Sequence, residues 1–193
     1  SLSWLKEHIR MNIAHIESQS FIYGPGCRFV IWVQGCSIHC KGCWNTQMWC
    51  FDKNQELSVE RLFDMIVEEN VEGITILGGE PLDQFEEVYK LCEICKSCGF
   101  SVMIFTGYEL FEIDQTEKQK IKSVSDILIV GRYMQEYRTL ERQWIGSTNQ
   151  EILFLSDRYR NYKLENGNYI EVDIDENGKS TIYGFPKNDF WVI

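Results

Sequence analysis

Phe29-Val30-Ile31-Trp32-Val33-Gln34-Gly35-Cys36-Ser37-Ile38-His39-Cys40-Lys41-Gly42-Cys43-Trp44-Asn45 joins two kinds of sequence. Its first five residues are apolar without a break, the pattern of a strand buried on both faces. The rest carries three cysteines spaced C-x3-C-x2-C. Further strand-like runs follow at Ile74-Thr75-Ile76-Leu77, at residues 100–105, at Ile127-Leu128-Ile129-Val130 and at Ile152-Leu153-Phe154-Leu155. Between them lie helical patterns. Ser58 suits the N-cap of a helix running to about residue 69, with Val59, Leu62, Phe63, Ile66 and Val67 on one face. A second helix covers about 84–98, where Phe85, Val88, Cys92 and Cys95 recur at helical spacing and Gly99 suits the C-terminal cap. Residues 116–124 form a short polar helix. Strand–helix–strand repetition predicts parallel strands joined by crossover helices.

The ends of the chain read differently. Residues 1–10 look like a short amphipathic piece, an extension before Met11. Gly24-Pro25-Gly26 is a turn signal just ahead of the first strand expected, 29–33. Residues 169–174 and 181–185 alternate around Glu176-Asn177-Gly178, a hairpin signal.

The chain has 193 residues, 44% of them apolar, which fits one domain with a sizeable core. A net charge of −10 argues against a nucleic-acid or anionic-membrane partner. No apolar run approaches a membrane span, and Ser1–His8 is no secretory signal. Eight cysteines without such a signal favour a reduced compartment and a metal site over disulfides, so the cytoplasm is the expected location.

Three thiolates this close can converge on one metal centre. Cluster ligation by cysteine normally uses four. A site that stops at Cys36, Cys40 and Cys43 can hold three irons of a 4Fe-4S cluster and leave the fourth open for chemistry. The alternative is structural zinc in an interaction domain, with His39 or Cys50 as fourth ligand. Gly78-Gly79-Glu80 ends the next strand. Glycines let backbone approach a ligand closely, their carbonyls can accept from an ammonium group, and the carboxylate adds attraction. On its own the same tetrapeptide with Pro81 would be an ordinary strand-to-helix turn. Four motifs, at 36–43, 78–80, 106–108 and 131–132, all follow expected strands, where α/β sheets gather their active sites.

C-x3-C-x2-C after a strand, with Gly-Gly-Glu at the end of the next, resembles the radical S-adenosylmethionine (radical SAM) enzymes. The resemblance implies that Cys36, Cys40 and Cys43 bind the cluster. It also implies that the open iron chelates S-adenosyl-L-methionine and that one electron splits the sulfonium to a 5′-deoxyadenosyl radical. Gly78, Gly79 and Glu80 would contact the cofactor's amino group, and Gly42 and Trp44 its adenine. Arg132 could meet its carboxylate or a partner, or else stand in solvent at a helix start. No acid–base residue is required, because the cofactor carries the hard chemistry.

The segments 24–28, 33–36, 43–45, 77–82, 105–108, 131–132 and 146–150, in that order, resemble the anaerobic ribonucleotide reductase activating protein family of glycyl-radical-enzyme activases. That implies an α/β fold, a shortened, open (β/α) partial barrel with a C-terminal β-hairpin extension. The expected organisation is a single domain over 1–193, with a core of about 12–155 and a divergent extension of 156–193. It further implies a glycyl radical enzyme as partner and a flavodoxin- or ferredoxin-like electron donor. Alternatively, the same radical would act on a peptide or small molecule.

Other residues carry plainer expectations. Cys92, Cys95 and Cys98 could ligate a second cluster, but helical geometry spreads them over more than one face and favours packing. His8, His15 and His39 are expected at or near the surface. Asn149 is expected to hold its loop by local backbone hydrogen bonds. Trp32, Trp49 and Trp144 are expected in the core, and Trp44 beside the thiols.

Overall fold

The computed structural model describes residues 9–184. Nine strands and three α-helices follow one another as β1 (Arg10–Ser20), β2 (Arg28–Val33), β3 (Gln55–Ser58), α1 (Val59–Glu68), β4 (Gly73–Gly78), α2 (Phe85–Ser97), β5 (Ser101–Phe105), α3 (Gln115–Val124), β6 (Ile127–Val130), β7 (Glu151–Phe154), β8 (Ile170–Ile174) and β9 (Ser180–Gly184). The first seven strands form one sheet in the order β3-β1-β2-β4-β5-β6-β7. The architecture is mixed α/β.

β2, β4, β5 and β6 pair in parallel. All six residues of β2 and all four of β6 are buried, as strands covered on both faces should be. Alternation then sorts their side chains. Phe29, Ile31, Val33, Ile74, Ile76, Val102 and Ile104 meet α1, α2 and α3 in the main core. Val30 and Trp32 meet Tyr23 and Met48 on the other face, while Met103, Ile127 and Ile129 meet Trp144 and Ile145 there. Ser58 caps α1 as its spacing implied, its side chain accepting from Arg61 N.

The sheet is not parallel throughout, and two strands were invisible in the sequence. β1 runs antiparallel to β2 and to β3, and β7 antiparallel to β6. The first strand is therefore Arg10–Ser20, not 29–33. Its pairing with β2 shifts register between Ile13 and His15 and again between Glu17 and Ser20, so the period-two alternation that announces a strand is broken. β3 is a largely exposed, four-residue edge of mixed polarity, which leaves no pattern to detect.

β8 and β9 pair antiparallel as a separate two-stranded sheet, closed by Asp175, whose Oδ1 accepts from Asn177 N and Lys179 N. Phe185, expected at the end of this pair, lies outside the described residues, as does His8. Tyr183 of β9 stacks on His15 of β1 at 5.6 Å, and Tyr23 OH accepts from Gly184 N at 2.7 Å. The pair thus lies against the β1–β2 side of the sheet.

Candidate functional site

The carboxyl ends of β2, β4, β5 and β6 meet around one open-sided cavity of about 150 Å³. The loop after β2 contributes Cys36, Cys40, Cys43 and Trp44, and the loop after β4 contributes Gly78, Gly79 and Glu80. The two loops touch through their backbones. Gly79 N donates to Val33 O and Glu80 N to Gly35 O, both at 2.8 Å. A Cβ on Gly79 would lie 2.1 Å from Gly35 O, so only glycine lets the loops close to this distance. Asp83 adds a second tie, accepting from Ser37 N at 2.7 Å and from the Ser37 and Tyr108 hydroxyls at 2.9 Å.

Each thiol is met by backbone N–H groups. Ile38 and His39 donate to Cys36, Tyr133 to Cys40 and Asn45 to Cys43, the last at 3.4 Å. Burial pushes the Cys36 and Cys40 thiols up from their ordinary range, against the pull of those donors. A soft cation that displaces the proton would be favoured at such a set. Among the described residues no three His, Cys, Asp or Glu side chains come together closely enough to hold one metal ion. Three thiolates at C-x3-C-x2-C spacing suit a cluster, in which each takes a different iron, better than tetrahedral zinc. Neither proposed fourth zinc ligand lines the cavity. His39 stacks on Trp49 at 4.5 Å, and Cys50 Sγ accepts from Asp52 N. Trp44, Trp49 and Trp144 line the cavity, and their buried indole N–H groups have no acceptor among the described residues.

A family model for a 4Fe-4S single cluster domain matches residues 22–153. The chain is 32% identical over 149 residues to an anaerobic ribonucleoside-triphosphate reductase-activating protein of Enterobacteria phage T4, covering 74% of this chain and 93% of that one. A protein of the same description from Haemophilus influenzae is 30% identical over 157 residues, covering 74% and 97%. The chain belongs to the radical SAM activase family. A pyruvate formate-lyase-activating enzyme from Listeria monocytogenes is also similar, 27% identical over 118 residues and covering 58% of this chain and 48% of that one. The chain is thus an enzyme of the radical SAM class, and its cofactors are a 4Fe-4S cluster and S-adenosylmethionine.

The other expected residues of this radical SAM chain fall in different places. Gly42 does not line the cavity. It sits at φ +77° beneath Gln135, whose side chain a Cβ would meet at 2.7 Å. Trp44 lines the cavity, with the Arg138 guanidinium 4.6 Å over its ring. Arg132 does not line it, and both its terminal nitrogens bind Glu112, at 2.5 and 2.8 Å. Asn149 donates to Arg132 O at 2.8 Å, a backbone contact as expected but to a residue 17 positions away and not within its own loop. Cys92 and Cys95 are buried in the main core and Cys98 is exposed beyond α2, so the three share no site. Burial drives the Cys95 thiol up to about 12, as an inert core cysteine should behave. Sequence reasoning placed Thr106 in a strand-end motif without a role for its side chain, and missed Asp83, Trp49 and Trp144 as parts of the site.

Glu80 is 1% exposed. Its Oε1 accepts from Leu82 N at 2.9 Å and the Thr106 hydroxyl at 2.8 Å, and its Oε2 from Gly107 N at 2.8 Å. The side chain thereby ties the end of β4 to the end of β5. Burial outweighs these three donors and pushes the carboxyl up from 4.5 to about 7. An acid raised in the folded state stabilises fully below its unfolded pKa and loses that contribution as pH rises through the folded one. Glu80 is therefore expected to remove up to roughly 3 kcal/mol of stability between about pH 4.5 and 7.5. Urea unfolding across this window should show a loss in the wild type that is absent from Glu80→Gln. Parallel curves for the two proteins would mean that the carboxyl titrates normally.

Proposed function

We propose that this enzyme installs a glycyl radical on a partner protein such as an anaerobic ribonucleotide reductase. The observation that carries it is the convergence of Cys36, Cys40 and Cys43 with Gly78, Gly79 and Glu80 on one cavity. Cys36, Cys40 and Cys43 would hold three irons of the cluster. The carbonyls of Gly78 and Gly79, with the Glu80 carboxylate behind them, would receive the amino group of S-adenosylmethionine. Trp44 would pack on the adenine, and Gly42 would set the approach of the loop. Arg132 must release Glu112 before it can meet the cofactor's carboxylate. When bound, the cluster and S-adenosylmethionine supply one-electron reductive cleavage and hydrogen-atom abstraction. The chain's own residues orient the cofactor and exclude water and oxygen. The open-edged sheet is read as a shortened (β/α) barrel, with residues 12–155 as its core and the β8–β9 pair as an appended hairpin in one domain. A flavodoxin- or ferredoxin-like protein would deliver the electron in the cytoplasm. Among the described residues no helix is long and apolar enough to cross a membrane.

The reductase-activating relatives above support this choice of partner. The test is anaerobic incubation with dithionite, S-adenosylmethionine and a reductase that carries the glycine loop. A carbon-centred doublet in the electron paramagnetic resonance spectrum is the expected result. Formation of 5′-deoxyadenosine with no doublet on a proven partner would retire the activase role and leave a peptide or small molecule as substrate.

A further inference from the structure

The β8–β9 pair encloses a second cavity, of about 530 Å³, against the β1–β2 side of the sheet. Its volume falls in the range of small-molecule sites. Of the residues that line it, only Asn45 also lines the cavity of the thiols. Four rings stand around it, those of His15 on β1, Tyr23 ahead of β2, Trp32 on β2 and Tyr183 on β9. Trp32 joins them, its ring centroid 5.1 Å from Tyr23, 5.2 Å from His15 and 5.7 Å from Tyr183. The polar tips of the other three are spent within the group. Tyr183 OH and His15 Nε2 share a hydrogen bond at 2.9 Å, and Tyr23 OH accepts from Gly184 N at 2.7 Å. These rings therefore offer a ligand mainly apolar surface.

Two polar atoms of the lining are not spent. Gln34 is 7% exposed and Trp32 4%. Gln34 Nε2 donates to Cys50 O at 2.7 Å and to Gln47 O at 3.3 Å, which fixes the oxygen at the other branch of the amide. That Oε1 receives no donor among the described residues, and the Trp32 indole N–H has no acceptor there. Neither atom is sealed off as the indole nitrogens of Trp44, Trp49 and Trp144 are, and this cavity is the one that both residues line. Buried polar groups are normally paired, so an acceptor and a donor left at one cavity call for a ligand that carries both. Among the described residues no Lys, Arg, Asp or Glu lines it, so nothing there would hold a phosphate, a carboxylate or an ammonium group. A neutral planar ring with an N–H donor and a lone-pair acceptor on its edge matches the rings and the two polar atoms together. We propose that this second cavity binds the base of a neutral nucleoside, packed among the aromatic side chains with its polar edge on Gln34 Oε1 and the Trp32 indole N–H. The site shares neither cluster nor cofactor with the function proposed above and goes beyond it.

The test titrates the full, cluster-loaded chain anaerobically with adenosine, guanosine, cytidine and thymidine, each followed by saturation-transfer nuclear magnetic resonance of the nucleoside. At least one should bind with a Kd on the order of 0.1 mM, the affinity that a ligand of this size ordinarily reaches. Tyr183→Leu removes one ring from the side remote from the thiols and should raise that Kd about fivefold or more. Gln34→Leu deletes the acceptor and should raise it about three- to tenfold. The matching 5′-monophosphate should bind no tighter than the nucleoside, and ribose alone should give no transfer. Absence of transfer to all four nucleosides would overturn the proposal. So would a Kd that Tyr183→Leu leaves unmoved, since the nucleoside would then be sitting elsewhere, as adenosine would in the cavity of the thiols. Tighter binding of the monophosphate, or equal binding of ribose, would also count against a base site. If Gln34→Leu does not fold, Tyr183→Leu decides the matter. Nucleoside binding in a chain that cannot cleave S-adenosylmethionine would sink the proposed function and leave this site standing.

Discussion

Changing Cys40 to alanine is expected to empty the site of iron and to abolish 5′-deoxyadenosine formation. Cys40 is only partly buried and stands in a loop, so its removal costs the fold little. Its effect on the site should be far larger. Among the described residues three thiols line the cavity and no fourth cysteine does, so no neighbouring thiol stands ready to replace one. Losing an outer partner of a metal ligand typically costs 10- to 100-fold in affinity or activity, and losing a ligand itself must cost more than about the upper value. The Tyr133 N–H that now meets Cys40 would also face an empty space, loosening the loop after β6 from the cysteine loop. The measurement is iron per chain after anaerobic reconstitution, followed by 5′-deoxyadenosine with dithionite as reductant. Cys98→Ala serves as control, since Cys98 is exposed beyond α2 and should change neither number. A Cys40→Ala protein with full iron and normal product would show that the thiols at 36, 40 and 43 are not the ligand set.

How far the sequence discloses this molecule depends on the range over which each signal acts. Ile127–Val130 is legible as β6 because four consecutive buried apolar residues announce themselves locally. The cysteine loop and Gly78-Gly79-Glu80 are legible because close approach to a ligand restricts the residue type at fixed spacings. β1 is hidden by its two register shifts, which are set by β2 and not by β1 itself. The role of Glu80 is half legible. Its position at a strand tip could be read, but the Thr106 and Gly107 donors that fill its oxygens are 26 and 27 residues away. Trp144 is illegible. No local pattern marks a tryptophan for a left-handed backbone, and the Asn168 that holds it there lies 24 residues on, in a segment that shows only as divergent. The same holds for Arg132, whose partner Glu112 lies 20 residues back, on the far side of α3 and β6.

The second large effect concerns the opposite end of the sheet. Arg28 opens β2 and is fully buried. Its Nε donates to the Thr75 hydroxyl at 3.1 Å, and its two terminal nitrogens donate to Pro25 O, Ile74 O and both the hydroxyl and carbonyl of Ser101. Thr75 in turn donates to Tyr23 O, and Tyr159 to the Ser101 hydroxyl. One guanidinium therefore links β2, β4, β5 and the chain after β7. Gly73 makes the room, since a Cβ there would lie 2.2 Å from Ser101 O and 2.5 Å from the guanidinium. Burial brings the Arg28 pKa down to about 10, which still leaves it charged at neutral pH. Among the described residues no carboxylate accepts from it. The charge is carried by hydroxyl and carbonyl acceptors, and truncating it leaves them buried without donors around a new cavity. Arg28→Ala is expected to cost roughly 3–5 kcal/mol, a large share of a typical stability of about 5–15 kcal/mol. Arg28→Lys should recover only part of this, because an ammonium cannot reproduce the planar fork. Urea unfolding followed by tryptophan fluorescence measures both. The cavity lies at the other end of β2 and β4, where Val33 pairs with Gly78. The fraction of Arg28→Ala that stays folded should therefore bind S-adenosylmethionine as the wild type does. A loss below about 1 kcal/mol would mean that water replaces the guanidinium without penalty. A folded variant with weakened cofactor binding would mean that the two ends of the sheet are coupled, which the rigid parallel pairing of β2 and β4 argues against.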